Sequence, residues 1–180
     1  GNAILSNVAF GNARAFVLPY IKQRRVVVKA ELEGLEWLTW VTAHLDTGGR
    51  LPGAPRVASY GAGRAAQSQE LMHRLNDMTG PQSFVIGADL NTAIGTRDPA
   101  FRVFTSAGLQ RASGSERIRH TFHGPTMIRF LLDHLLYRSP ENRIATFEVT
   151  RLDERPGDDT STVFGSDHHP LLARMELRTI

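Results

Sequence analysis

A carboxylate and two imidazoles stand side by side in GSDHHP, residues 165–170, immediately before the apolar run LLARMEL. A turn needs only Asp or Ser with Pro. Asp167 adds a carboxylate that suits a metal or a reacting water, and His168 adds a ring that can donate, accept or carry a proton. Three more stretches carry compatible groups. In GADLN, 87–91, Asp89 and Asn91 follow an apolar run at i and i+2, on one side of an extended chain. There they can orient a water and hold a substrate oxygen. In FLLDHLLY, 130–137, Asp133 interrupts a leucine run, where an ionised carboxylate is costly to desolvate without a partner. His168 is a candidate partner, its tautomer fixed and its protonated form stabilised by the carboxylate; Arg129, Arg138 and His134 are the alternatives. VTAHL, 41–45, places His44 at the end of a β-rich run. Each group also has a plain structural reading: an Asx turn for Asp89 and Asn91, a salt-bridged Asp133, a polar loop around His169, a structural His44.

These groups must be positioned by elements that the pattern makes visible. Residues 24–45 read as two β-rich runs around a Glu33-Gly34-Leu35 turn. The Gly/Pro-rich stretch 47–61 reads as a long surface loop, and 63–78 as an amphipathic helix with Leu71, Leu75 and Met78 at helical spacing. SFVIG, 83–87, reads as a short strand, and 98–109 as a helix closed by Gly108. Later strands are expected at 129–137, 145–152 and 171–177, with the acidic patch 153–161 as a solvated turn. Strands alternating with helices predict a layered α/β domain.

The 180 residues suffice for one domain with a core, since chains of this size bury roughly 70% of their unfolded surface. No run of about 18 apolar residues occurs, so no membrane span is expected, and a monomer is. With no cysteine, disulfides, thiolate metal sites and a Cys nucleophile are excluded. Net charge is only +3, yet 19 of the 21 cationic side chains are arginine. The guanidinium fork suits phosphate oxygens, but the arginines are scattered along the chain; Arg50, Arg56 and Arg64 beside the 47–61 loop are compatible with a polyanionic ligand and equally with a solvated loop.

A dinucleotide fingerprint is imitated by Gly61-x-Gly63-x-x-Ala66, with Asp89 23 residues beyond Ala66. Its glycines should follow a strand directly, and LPGAPRVAS stands there instead. That reading also leaves His44, Asp133, Asp167 and His168 without a role.

The ordered succession GNAILS, RRVVVKAEL, VTAHLD, RAAQSQEL, FVIGADLNT, HTFHG, LLDHLL and GSDHHP resembles the endonuclease/exonuclease/phosphatase superfamily, the DNase-I-like phosphohydrolases. GxDxN and SDHxP are its specific parts, and the likeness covers nearly the whole chain. The resemblance implies two packed mixed β-sheets flanked by helices, Mg²⁺ or Mn²⁺ as cofactor, and hydrolysis of a phosphate ester, nucleic acid among its forms. It implies that Asp89 orients or deprotonates the water, that Asn91 holds the phosphate, and that Asp133 pairs with His168, which contacts the phosphate. It implies a metal or metal-water ligand at Asp167, with Asp89 and Asn91 also near the metal, and a phosphate or leaving-group contact at His44.

Four departures accompany it. The family begins with a strand ending in Asn and a second carrying a Gln-Glu pair, whereas this sequence opens at GNAILS, and Glu31, Glu33 and Glu36 lie in the later hairpin. Ala88 stands for the usual Gly, His134 for an aromatic residue, and the Arg two before the paired Asp is absent. The expectation is therefore an N-terminally truncated domain with exposed core edges, poor solubility, weak metal binding and little activity of its own. A non-catalytic binding member of the same fold is the alternative.

Overall fold

The structure, a computed structural model, describes residues 1–47, 61–77, 83–124, 128–153 and 165–178. Its frame is a six-stranded sheet in the order β1-β2-β3-β4-β8-β5. The strands β2 (Val26–Leu32) and β3 (Leu38–His44) form the expected antiparallel hairpin, turning at Gly34, whose φ of 78° favours glycine. Ahead of them β1 (Phe10–Val17) pairs antiparallel with β2 on the outer edge. The strand β4 (Ser83–Asp89) lies parallel to β3, and β8 (Asp133–Arg138) runs antiparallel to β4. β5 (Gln110–Arg111) closes the far side against β8.

Alternation along β3 and β4 divides the core. Val41, Ala43, Phe84, Ile86 and Ala88 pack with the helices, whereas Val85 faces Phe147 and Val149 of the second sheet. The helices are α1 (Ala62–Asn76), which buries Leu71, Met72 and Leu75, and α2 (Pro99–Ser106), which buries Phe101 and Phe104. Asp98 caps α2 by accepting from the Ala100 amide at 3.0 Å, Pro99 opens it, and Gly108 follows at φ 81°. The second sheet pairs β9 (Ile144–Arg151) with β10 (Leu171–Leu177), and a small ribbon pairs β6 (Phe122–His123) with β7 (Arg129–Phe130). Helices, mixed sheet and second sheet thus form the expected layered α/β sandwich.

Two expectations need correction. The run 129–137 is two strands, because the Thr121 hydroxyl accepts from the amides of Leu132 and Asp133 at 3.1 and 3.0 Å and breaks it there. Asp133 therefore opens β8, half-buried, and does not sit inside a leucine strand. The doubly wound parallel sheet needed for dinucleotide binding does not form: β3–β4 is the one parallel pairing of named strands in the six-stranded sheet. Residues 48–60 of the expected surface loop and 154–161 of the expected acidic turn lie outside the described residues. No helix among those described is long and apolar enough to cross a membrane.

Candidate active site

Register builds the site. Parallel pairing sets His44 at the end of β3 opposite Asp89 at the end of β4, and antiparallel pairing sets Asp89 opposite Asp133 at the start of β8. Three residues far apart in sequence thus form one lateral row across three adjacent strands. His44 Nε2 lies 3.2 Å from Asp89 Oδ2. Just beyond the row, the Asn91 amide donates to Asp89 Oδ1 at 2.8 Å, and Asn91 Nδ2 donates to the Leu45 carbonyl at 2.8 Å. Asn91 adopts φ 50°, a left-handed conformation that Asn tolerates better than most residues.

His168 is delivered by a separate pairing. The amide of His123 donates to the Asp167 carbonyl at 2.9 Å and that of His169 to Thr121 at 2.7 Å, so 121–123 and 167–169 run side by side. His168 Nδ1 then meets Asp133 Oδ2 at 2.7 Å, with 30% and 22% of the two side chains exposed. The structure selects this partner among the four that the sequence allowed. His134 turns to the core and meets Thr92 Oγ1 at 2.8 Å, and Arg138 donates to Asn76 and Ala107 at 3.0 and 3.3 Å. Phe122 supports His168, their ring centroids 5.0 Å apart.

The electrostatics separate these groups. Donation from His168 Nδ1 to the Asp133 carboxylate raises the His168 pKa above its ordinary value, which favours the protonated ring. Burial lowers His44 to about 4, with Arg25 and His168 adding repulsion. His44 is therefore neutral at pH 7, and its contact with Asp89 is not an ion pair. Burial and the neighbouring Asp133 charge push Asp89 up to about 6, against the opposing hydrogen bond from the Asn91 amide. Such a carboxylate exchanges protons near neutrality.

Asp89, Asp133 and His168 offer one ligand atom each within 4.8 Å of one another. Two carboxylates sharing a half-buried cavity, one resisting ionisation through burial and through the charge of the other, form a donor set that fits a divalent cation. Asp167 stands outside this group and is exposed. His44, Asp89 and His168 line both of two cavities, of about 560 and 460 Å³; the second is also walled by Arg25, Phe122 and Phe130.

The residues that sequence reasoning left without a role are Thr121, Phe122, Phe130 and Arg25. HTFHG was visible as a motif, but nothing in it states that Thr121 holds the backbone of Asp133. His169, read from the sequence as part of a polar loop, is instead buried behind the site, its Nδ1 3.0 Å from Asp153 Oδ1. It packs there with His120 and His123, ring centroids 4.8–5.5 Å apart. Arg64 is likewise no loop cation: it is buried, with Nη2 2.7 Å from Asp98 Oδ2. Arg50 and Arg56 lie outside the described residues.

No protein-family model matches the chain, and no curated protein matches it in sequence. Solved structures do match in fold. An endonuclease/exonuclease/phosphatase from Bacteroides vulgatus aligns with a TM-score of 0.66 at 15% identity, over 94% of this chain and 66% of that one. A mannosyl-6-phosphatase from Bacteroides thetaiotaomicron gives 0.64 at 13% identity, over 94% and 67%. The human Nocturnin catalytic domain with bound sulfate gives 0.65 at 18% identity, over 97% and 62%. The chain thus spans 62–67% of the length of these three structures. The likeness is one of fold: the chain has the DNase-I-like layered sandwich of these structures.

Proposed function

We propose that this protein is a metal-dependent hydrolase of phosphate esters. The observation that carries the reading is the Asp133–His168 pair at 2.7 Å, set beside Asp89 at the ends of adjacent strands. Asp89 orients the attacking water and takes its proton, a task suited to a carboxyl with a pKa of about 6. As the water oxygen bonds to phosphorus and the ester P–O bond breaks, His168 donates to a phosphate oxygen whose charge is growing. Asp133 favours the protonated form of that ring and aims it. His44, neutral and able to donate, is the contact for the phosphate or the leaving oxygen. Asn91 uses its amide N–H on Leu45, which leaves its amide oxygen as an acceptor or ligand.

Mg²⁺ or Mn²⁺, when bound, would be held by Asp89 and Asp133 with the Asn91 amide oxygen beside them, and would neutralise phosphate charge; Asp167, expected as a ligand, lies outside that cluster. The structural neighbours, a mannosyl-6-phosphatase among them, support this reading.

The test is hydrolysis of a bis-aryl phosphate by the protein at its natural length, with Mg²⁺ or Mn²⁺ and with chelator. Turnover should vanish with chelator and fall about 10²–10⁴-fold in His168→Ala. Absence of chelator-sensitive turnover would sink the proposal. Asp167 lies outside the acidic cluster, which favours one second reading, a binding-only member of the fold. Phosphate-ester binding without turnover would identify it.

A further inference from the structure

The arginines are dispersed in sequence but not in space. Arg97, Arg111, Arg119 and Arg129 converge on one open cavity of about 380 Å³, where Glu116 is the one carboxylate among the described lining residues. Four separate segments deliver them: the 3₁₀ turn Gly95–Arg97, β5, the segment after the 3₁₀ turn Ser115–Arg117, and β7. Arg97, Arg119 and Arg129 are exposed. Arg111 is partly buried, and its Nη2 donates to the Ser115 carbonyl at 2.8 Å, which fixes where that guanidinium stands. Arg97, Arg111 and Arg119 alone outnumber the Glu116 carboxylate there, and a polyanion relieves the repulsion among them.

The cavity neighbours the candidate active site. Ala93 and Phe130 line both it and the cavity that holds His44, Asp89 and His168. Between the two lies an aromatic pair, Phe122 and Phe130, nearly parallel at 13° with centroids 6.3 Å apart. A ligand that leaves the Asp89–His168 centre along this route meets aromatic surface first and guanidinium groups next. Alternating aromatic and cationic surface suits a single nucleic-acid strand, whose bases stack while its phosphates pair with arginine.

We propose that the arginine cavity is a second phosphate subsite, which holds the phosphate neighbouring the scissile one in a single-stranded nucleic acid, with a base against the Phe122–Phe130 pair. This rests on the phosphohydrolase reading of the adjacent centre and assigns its substrate class.

Binding without turnover tests it. A fluorescently labelled single-stranded oligothymidylate is titrated by anisotropy with the natural-length protein in chelator, and thymidine monophosphate is measured in competition. The Arg97→Ala/Arg119→Ala variant should lose about tenfold or more in oligonucleotide affinity. Its log–log salt slope should fall by roughly 1 to 2, and it should keep its affinity for the mononucleotide. Arg102→Ala/Arg174→Ala, which removes the same charge elsewhere on the surface, should match the parent. Unchanged oligonucleotide affinity in the first variant, an equal loss for the mononucleotide, or an equal loss in the surface control would each overturn the subsite. A bisphosphorylated polyol that outcompetes a 5′-phosphorylated dinucleotide would overturn the nucleic-acid assignment. Loss of bis-aryl phosphate hydrolysis with this arginine dependence intact would count against the catalytic reading alone.

Discussion

Arg64 and Asp98 tie the start of α1 to the cap of α2 beneath the active site, and this contact yields a stability prediction with a worked size. Only 3% and 0% of the two side chains are exposed, with Nη2 and Oδ2 2.7 Å apart. The other Asp98 oxygen accepts from the Ala100 amide at 3.0 Å, so the carboxylate is held on both sides. Arg64→Met leaves that carboxylate buried without its cation, and breaking a buried pair from one side costs about 3–5 kcal/mol. Asp98→Asn keeps an oxygen for the cap but takes the countercharge from the buried guanidinium, which keeps its donation to the Thr47 carbonyl at 3.4 Å, so the loss should reach up to about the same size. When both are changed no buried charge remains, and the loss should shrink to about 2 kcal/mol or less. The expected coupling is therefore several kcal/mol, a large fraction of the ~5–15 kcal/mol that holds a domain together. Urea unfolding of the four proteins, followed by the fluorescence of Trp37 and Trp40, measures it. A single variant that loses under about 1 kcal/mol, or a double variant equal to the sum of the singles, would refute the reasoning.

Three further outcomes follow from the same structure. Asp133→Asn should return the His168 titration, followed by imidazole NMR, toward the ordinary histidine value. It should also remove a stabilisation that is complete below about pH 6.5 and lost as pH rises through the folded-state pKa; an unmoved titration would contradict the pairing. Burial holds His134 down to about 4, so stability should be present above about pH 6.5 and lost as pH falls toward 4. The loss between pH 7 and about pH 4.5 is about 2–3 kcal/mol, and the His134→Phe variant should lack it in parallel urea titrations. Equal acid sensitivity in the two proteins would argue against a neutral buried ring. Gly114→Ala should cost about 1–3 kcal/mol, visible as a lower melting temperature, because φ is +83° and a Cβ would meet the Val149 carbonyl at 2.6 Å; a melt identical to the parent's would show that the approach is less close.

Elements were legible in proportion to how far local pattern decides them. The β2–β3 hairpin carries its own turn glycine, and β10 follows the apolar run LLARMEL to the residue. Strand β1 was missed because FGNARAFV has little β character of its own. It becomes a strand by pairing, from Phe16↔Val27 to Asn12↔Glu31, along the open edge of β2. The run 129–137 was misread because its interruption is imposed by Thr121, a residue outside it, which takes the amides that a continuous strand would have offered a neighbour.

The candidate site divides in the same way. Residue type and order were enough to nominate Asp89, Asp133 and His168, because a carboxylate at a strand end and one in an apolar run each need a partner. Adjacency in GSDHHP could not state which histidine faces which way. Successive residues of an extended segment point to opposite sides, so His168 reaches Asp133 while His169 is buried beside Asp153. Nor could composition show that scattered arginines share a cavity, since four different segments bring them there. What joins these groups is register: a slip of one residue in the β3–β4 or β4–β8 pairing would turn His44 or Asp133 to the far face of the sheet. The apolar sides of those strands, packed on the helices and on the second sheet, forbid that slip. The core thus sets the site geometry, and changes to Phe84, Ile86 or Val85 that loosen the register should disturb the Asp89–Asp133 row before they abolish folding.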